Sequence, residues 1–144
     1  MNVHFSSATD DWATPQALFD EWEAKCGPLE IDVCASEQNA KCRRFFTKEQ
    51  NGLAQSWAPH RCWMNPPYGR TIGLWMRKAY EEAQLGATVV CLVPARTDTA
   101  WWHEYAMHGD IYFIRGRVKF GSAKHSAPFP SAVVVFKPFL YSVE

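Results

Sequence analysis

The sequence predicts an α/β fold: a doubly wound, mostly parallel sheet that ends in an antiparallel pair of strands. Three observations carry this prediction. Short apolar runs that suit strands alternate with segments of helical period along the 144 residues. One run, residues 87–93 (ATVVCLV), is apolar without interruption between Gly86 and Pro94, as in a strand buried on both faces of a parallel sheet. Two further apolar runs, residues 111–114 and 132–136, follow with no helical segment between them, which suits an antiparallel ending.

Each element has its own local reason. Thr14-Pro15 reads as a helix start, with Thr as N-cap and Pro in the first turn. Leu18, Phe19, Trp22 and Cys26 continue at helical spacing until Gly27-Pro28 stops the helix. Residues 29–34 (LEIDVC) read as a short strand. The polar, basic stretch 36–61 suggests short helices near 39–44 and 53–57. Residues 61–65 (RCWMN) read as a strand cut off by Pro66-Pro67, and 71–85 as an amphipathic helix with Ile72, Trp75, Met76, Ala79, Tyr80 and Ala83 as its apolar stripe. Residues 97–107 read as a helix capped by Thr97 or Asp98 and ended by Gly109, and 118–120 as a possible short strand before a Gly-, Lys-, Ser- and Pro-rich loop. One domain over residues 1–144 is expected, with its core in about 12–136 and no separate target-recognition domain.

Composition narrows the function classes. Apolar residues make up 47% and charged residues 21%, which is globular rather than disordered. Aromatics reach 15%, a large supply of flat surface for packing or for stacking on a planar ligand. No run approaches the roughly 18 apolar residues of a membrane-spanning helix, so no membrane partner is expected. Acids at Asp10, Asp11, Asp20, Glu21 and Glu23 and the lack of an apolar run exclude a signal peptide from the first 24 residues. The five cysteines, Cys26, Cys34, Cys42, Cys62 and Cys91, contain no CxxC pair and no zinc-ligand spacing. They read as reduced thiols of a cytoplasmic protein with no metal.

Fifteen basic residues balance fifteen acidic ones, but not evenly along the chain. Residues 1–40 carry eight acids and one base, Lys25. Residues 41–80 carry eight bases and one acid, Glu49, and 111–143 carry Arg115, Arg117, Lys119, Lys124 and Lys137 with no acid. If the two basic segments share a face, a neutral chain presents a positive side to a polyanion; otherwise they are solvated loops.

The most informative residues are Asn65-Pro66-Pro67-Tyr68, followed by Gly69. They stand where a strand leaves the sheet and a helix is about to begin, the edge at which open α/β sheets bind ligands. Two prolines in succession remove two N–H donors and stiffen the turn. Carbonyl oxygens and the Asn65 side-chain oxygen then remain as acceptors beside the flat ring of Tyr68. Two acceptors and a stacking surface suit a planar group that bears an NH2. A Pro-rich turn with a packed tyrosine is the plainer alternative. Cys62 lies within the strand and reads as core, not as a nucleophile.

Asn-Pro-Pro-Tyr after a strand resembles the catalytic motif of amino-group methyltransferases that use S-adenosyl-L-methionine. The wider series resembles the small phage-type, Dam-like DNA N6-adenine methyltransferases. It comprises Trp12-Ala-Thr-Pro15, Asp32-Val-Cys-Ala-Ser36, Asn39-Ala-Lys-Cys42 with Phe45-Phe-Thr47, Gly52-Leu53 with Trp57, Asn65-Pro-Pro-Tyr-Gly69, Trp75 with Lys78-Ala79, Leu92-Val-Pro-Ala-Arg-Thr-Asp98, and Gly116-Arg117 with Phe120. The resemblance implies an abbreviated Rossmann-like methyltransferase sheet, since only about 30 residues separate Cys34 from Asn65, where a full sheet would place two further strands.

It also implies roles. Asn65, Pro66, Pro67 and Tyr68 are the catalytic candidates: Asn65 and the Pro66 carbonyl accept hydrogen bonds from the adenine amine, and Tyr68 stacks on the base after it is flipped from the duplex. Trp12, Thr14, Pro15, Asp32, Cys34, Ala35, Asn39 and Asn65 are the cofactor candidates. Among them Asp32 faces the methionine ammonium, and Trp12, Thr14 and Pro15 close over the methionine part. Glu37 and Asn39 are candidate ribose ligands. Arg43, Arg44, Arg70, Arg96, Arg117, Lys119 and Lys124 are the candidate contacts to double-stranded DNA. The donor is S-adenosyl-L-methionine, transfer is in-line, and neither a metal nor a covalent intermediate is called for. Three readings stay open on the motif: adenine in DNA, the same chemistry on a protein glutamine or an RNA base, and a non-catalytic nucleic-acid-binding relative. The sequence does not fix the recognition site or the oligomeric state.

Overall fold

A computed structural model describes residues 13–121 and 126–138. Six strands form one sheet: β1 (Ile31–Asp32), β2 (Arg44–Phe45), β3 (Arg61–Met64), β4 (Thr88–Pro94), β5 (Asp110–Phe113) and β6 (Ser131–Phe136), in the spatial order β2-β1-β3-β4-β6-β5. The first four are parallel. β6 runs antiparallel to both β4 and β5, so the α/β fold with an antiparallel C-terminal pair is the one observed. The uninterrupted apolar sequences of β4 and β6 fit their place: both are central, and almost every residue in them is buried.

Helix α1 (Gln16–Cys26) covers one face, with Phe19 edge-on to Trp63 at 5.3 Å and Trp22 against Tyr112 at 5.0 Å. Helices α2 (Ile72–Gln84) and α3 (Ala100–Glu104) belong to the other layer. There Trp75 stacks on Trp57, Tyr80 meets Phe136, and Trp102 stacks on Phe113. The stripe expected for α2 is the buried one, apart from half-buried Tyr80. Gly86, at φ +119°, then turns the chain into β4 through a conformation that favours glycine. Gly52 is needed for space: a Cβ there would collide with the Val33 carbonyl beside the end of β1.

Several local expectations fail, each to a tertiary contact. Thr14 does not cap α1. Pro15 holds the N-cap position, no side chain caps the helix, and the Thr14 hydroxyl is turned into the sheet edge instead. Residues 39–44 form no helix. Lys41 N–H is drawn onto the Asp32 carboxylate, and the chain then runs out as the parallel edge strand β2, one of the two strands the spacing had left missing. Residues 53–57 shrink to one 3-10 turn, Gly52–Ala54, started by the Asn51 side chain. Thr99, not Thr97 or Asp98, caps α3, which gives way to a 3-10 turn at Ala106–His108. Residues 118–120 are not a strand, and β1 is a two-residue strand within the expected 29–34.

Candidate active site

The parallel half of the sheet reverses direction between β1 and β3. From β1 the chain moves outward to β2, then returns to β3 and β4 on the other side. Asp32 and Trp63 are register partners across this point, so the carboxyl ends of β1 and β3 stand side by side. Ligands of open α/β sheets bind in the crevice outside such a switch point. Both Asp32 and Asn65 lie there.

Asn65 is buried, at 3% exposure, and both ends of its carboxamide are engaged. Nδ2 donates to Thr14 Oγ1 at 3.1 Å, and Oδ1 accepts the Tyr68 hydroxyl at 2.7 Å. The same hydroxyl lies 3.1 Å from the Leu92 carbonyl of β4, so one proton serves two acceptors. Pro66 and Pro67 add no N–H that could compete at the turn. The Tyr68 ring is enclosed, at 2% exposure, with Phe120 and Phe129 edge-on to it at 5.9 and 5.6 Å. Burial pushes its phenol well above the ordinary value, so it is a neutral hydroxyl. Arg96 Nη1 donates to the Tyr68 carbonyl at 3.3 Å, and its guanidinium lies over Phe129. The Gly121 N–H donates to the Ala13 carbonyl, tying the segment before α1 to the wall around Tyr68.

Asp32 has an unusual electrostatic setting. Its carboxylate is buried and accepts the Cys34 N–H at 3.3 Å and the Lys41 N–H at 3.0 Å. Burial lifts its pKa to about 7, against the pull of those two N–H groups and of the Lys41 charge. The Lys41 ammonium is bound to Gln16 Oε1 at 2.9 Å, at the start of α1. Thr14, Gln16, Asp32, Lys41 and Asn65 thus meet where α1 begins and β1 and β3 end.

The other singled-out residues divide into groups. Ala35, Arg43 and Arg44 line a cleft of 880 Å³ between the loop after β1 and the segment around β2, together with Glu37 and Glu49. Cys34 is half-buried beside Asp32. Asn39 Oδ1 accepts the Ser36 N–H at 2.7 Å, which closes the loop after β1. Arg70 and Arg96 line a second cleft, of 450 Å³, on the α2–α3 side of the Asn-Pro-Pro-Tyr turn. Arg117 donates to the Ala127 carbonyl at 3.4 Å, and Lys119 is exposed on the same loop. Pro15 is half-buried at the head of α1. Trp12 and Lys124 lie outside the described residues. Sequence reasoning had missed Lys41, Gln16 and Phe129. Lys41 stands inside a motif already noted, Asn39-Ala-Lys-Cys42, but nothing local says that its backbone N–H is bonded to Asp32. Among the described residues no three His, Cys, Asp or Glu side chains gather as a metal site, and no helix is long and apolar enough to cross a membrane.

The profile of the DNA N-6-adenine-methyltransferase (Dam) family matches residues 3–141. The chain belongs to that family. It is similar to the DNA N-6-adenine-methyltransferase of Haemophilus phage HP1, 31% identical over 140 residues that cover 92% of this chain and 81% of the relative. It is also similar to the enzyme of the same name from Escherichia phage T1, 34% identical over 96 residues, 66% of this chain but 40% of that longer protein. A putative methyltransferase of Escherichia coli, YfdM, is 34% identical over 65 residues, 41% of this chain and 71% of the relative. The family is one of adenine-specific DNA methyltransferases, and these relatives span phages and a bacterium.

Proposed function

We propose that this chain transfers a methyl group from S-adenosyl-L-methionine to the N6 amine of adenine in double-stranded DNA, on a base turned out of the duplex, in the cytoplasm of a bacterial host. The observation that carries the reading is the buried Asn65 carboxamide: an acceptor oxygen at the switch point of the sheet, held from two sides, in a chain of this family. The bound donor supplies an already activated methyl group on a sulfonium, so what the reaction asks of the protein is position and local charge. Asn65 Oδ1 and the Pro66 carbonyl accept hydrogen bonds from the exocyclic amine, hold its plane and direct its lone pair along the line of transfer. The same acceptors stabilise the positive charge that develops on the nitrogen. Tyr68 offers its ring to the base, in a wall shared with Phe120 and Phe129.

The residues of the site suit the donor. A buried carboxylate that is short of positive charge, as Asp32 is, suits a ligand bearing an ammonium. The uncapped start of α1, at Thr14 and Pro15, directs its first N–H groups to the same edge, where a ligand carboxylate is favoured. The 880 Å³ cleft beside Ala35 and Ser36 has room for the adenosine part, with Glu37 and Glu49 as acceptors for ribose hydroxyls.

The test is methyl transfer from tritium-labelled S-adenosyl-L-methionine to duplex DNA, followed by nucleoside analysis. N6-methyladenine is the expected product. Label found only in a protein glutamine or only in RNA would overturn the reading. Asn65→Ala should lower turnover by two orders of magnitude or more, about 3 kcal/mol of transition-state stabilisation, while S-adenosylhomocysteine still binds.

A further inference from the structure

The Thr14–Asn65 hydrogen bond joins two buried side chains 51 positions apart in sequence and crosses from the head of α1 to the end of β3. It has no role in starting the helix, since α1 begins without a side-chain cap. A carboxamide has one donor end and one acceptor end, and only the acceptor end can receive the target amine. The Thr14 hydroxyl oxygen takes the donor end, which leaves Oδ1 directed towards the turn. There Oδ1 receives the Tyr68 hydroxyl at 2.7 Å, and the Leu92 carbonyl stands 3.1 Å from that hydroxyl as a second acceptor. An arriving N–H donor can therefore take over Oδ1 while the Tyr68 proton moves to Leu92, and no buried hydroxyl is left unsatisfied.

We propose that Thr14 is a positioning residue for methyl transfer: its hydroxyl orients the Asn65 carboxamide so that the oxygen, not the nitrogen, meets the target amine. This role is distinct from the cofactor contact that the resemblance implies for Thr14, and the donor-affinity measurement below separates the two. The inference rests on the reading of Asn65 given above and makes different predictions from it. Thr14→Val keeps the shape and removes the hydroxyl, whereas Thr14→Ser keeps the hydroxyl.

The experiment measures turnover at saturating donor, donor affinity by calorimetry with S-adenosylhomocysteine, and thermal stability, for wild type, both Thr14 variants, Asn65→Ala and Asn65→Asp. Thr14→Val should lose tenfold or more in turnover with donor affinity within twofold of wild type, and Thr14→Ser should recover to within about threefold. In an Asn65→Asp background both ends of the side chain are oxygens, so Thr14→Val should then change turnover by less than threefold. The Asn65 side-chain NH2, identified by NMR from its loss in Asn65→Asp, should exchange with solvent faster in Thr14→Val, a readout that needs no activity. Wild-type turnover and unchanged exchange in Thr14→Val would overturn the proposal. So would a loss confined to donor affinity, which would return Thr14 to the cofactor. If wild type makes no N6-methyladenine, or Asn65→Ala is fully active, the reading of Asn65 falls instead; an active wild type with inactive Asn65→Ala and normal Thr14→Val sinks only the positioning role.

Discussion

Two buried carboxylates stand at opposite edges of the sheet, and the fold treats them differently. Glu82, on α2 near the amino edge, accepts the Trp57 and Ala58 N–H groups at 2.8 and 2.9 Å and pairs with the Lys78 ammonium at 3.0 Å. Burial pushes its pKa up, but the Ala58 and Trp57 N–H groups and Lys78 outweigh that and hold it below the ordinary value. Asp32, at the carboxyl edge, also accepts two N–H groups, yet the nearest ammonium, on Lys41, is bonded to Gln16, and burial lifts its pKa to about 7. The two differ first in how fully the carboxylate is desolvated: at Glu82 the two N–H groups, with Lys78 beside them, outweigh the desolvation, whereas at Asp32 complete burial outweighs two N–H groups and the field of Lys41. The carboxylate left under-compensated is the one at the switch point of the sheet.

The largest test of this contrast is Glu82→Ala. It strands the buried Trp57 N–H, the half-buried Ala58 N–H and the Lys78 ammonium, at a cost of about 3 kcal/mol. That corresponds to roughly 10 °C in Tm for a domain of this size. Methyl transfer per folded molecule should be unchanged below the transition. Because the folded-state pKa of Glu82 is lowered, its contribution is present above the unfolded value and is lost as pH falls through the folded one. The acid limb of thermal stability should therefore be steeper in wild type than in Glu82→Ala. A variant with an unchanged Tm and no methyl transfer would mean the two edges had been assigned the wrong way round.

Asp32→Ala should behave in the opposite sense. S-adenosylhomocysteine binding should weaken by about 1.5–3 kcal/mol, the worth of a charge-assisted hydrogen bond. Stability should shift the other way with pH. A carboxyl whose folded-state pKa is raised stabilises the fold below its unfolded value, near 4, and loses that contribution as pH rises through about 7. Relative to Asp32→Ala, wild type should thus lose Tm as pH rises from about 4 to about 7, and the difference should level off above 7. Thermal scans across that range decide the point, and a parallel decline in both proteins would remove Asp32 as the titrating group.

The pH dependence of binding sharpens the same contrast. The titratable groups that feel Asp32 are the Lys41 ammonium and the Cys42 and Cys62 thiols, which burial holds above the ordinary value and so keeps protonated; Asp20 acts on Lys41. If a ligand ammonium needs the ionised Asp32, affinity should fall about tenfold per pH unit below 7 and level off above it. Calorimetry in buffers of different ionisation enthalpy should register a proton released on binding at pH 6 and none with Asp32→Ala. Equal affinity at pH 5.5 and 8 would separate Asp32 from the ligand.

Much of this was legible in the sequence, and what was not has a common cause. β4, α2 and the Asn65–Tyr68 turn announce themselves through contiguous signals: an unbroken apolar run, a helical stripe, two prolines after a strand. β2 does not. Arg44–Phe45 has no strand pattern of its own and is extended because Ile31 and Asp32 pair with it. Thr14-Pro15 carries a correct helix-start signal, but the Thr14 hydroxyl has a partner 51 residues away that outweighs the local cap. Glu82 is not in the apolar stripe that the sequence marks on α2; the approach of Trp57 and Ala58 makes it an interior group. Asp32 could be singled out from its motif as a candidate, but its raised pKa could not, because that follows first from burial, which only the packed structure sets.

The smallest effect concerns which edge meets DNA. The target base must reach Asn65, so phosphates flanking it should run along the carboxyl edge. Arg70 is exposed there, in the 450 Å³ cleft beside the Tyr68 turn, whereas Arg61 is exposed at the first residue of β3, on the amino edge. Removing one phosphate contact lowers the slope of log affinity against log salt by about 1 and costs roughly 1 kcal/mol at moderate salt. Arg70→Ala should show that change, and Arg61→Ala should retain the wild-type slope, although the two substitutions alter net charge equally. Neither should alter S-adenosylhomocysteine binding. Titrations of labelled duplex DNA between 50 and about 200 mM salt make the measurement. Equal slopes for the two variants would mean that the DNA responds to total charge and not to this edge, and the arginines beside the turn would then lose their claim as strand contacts.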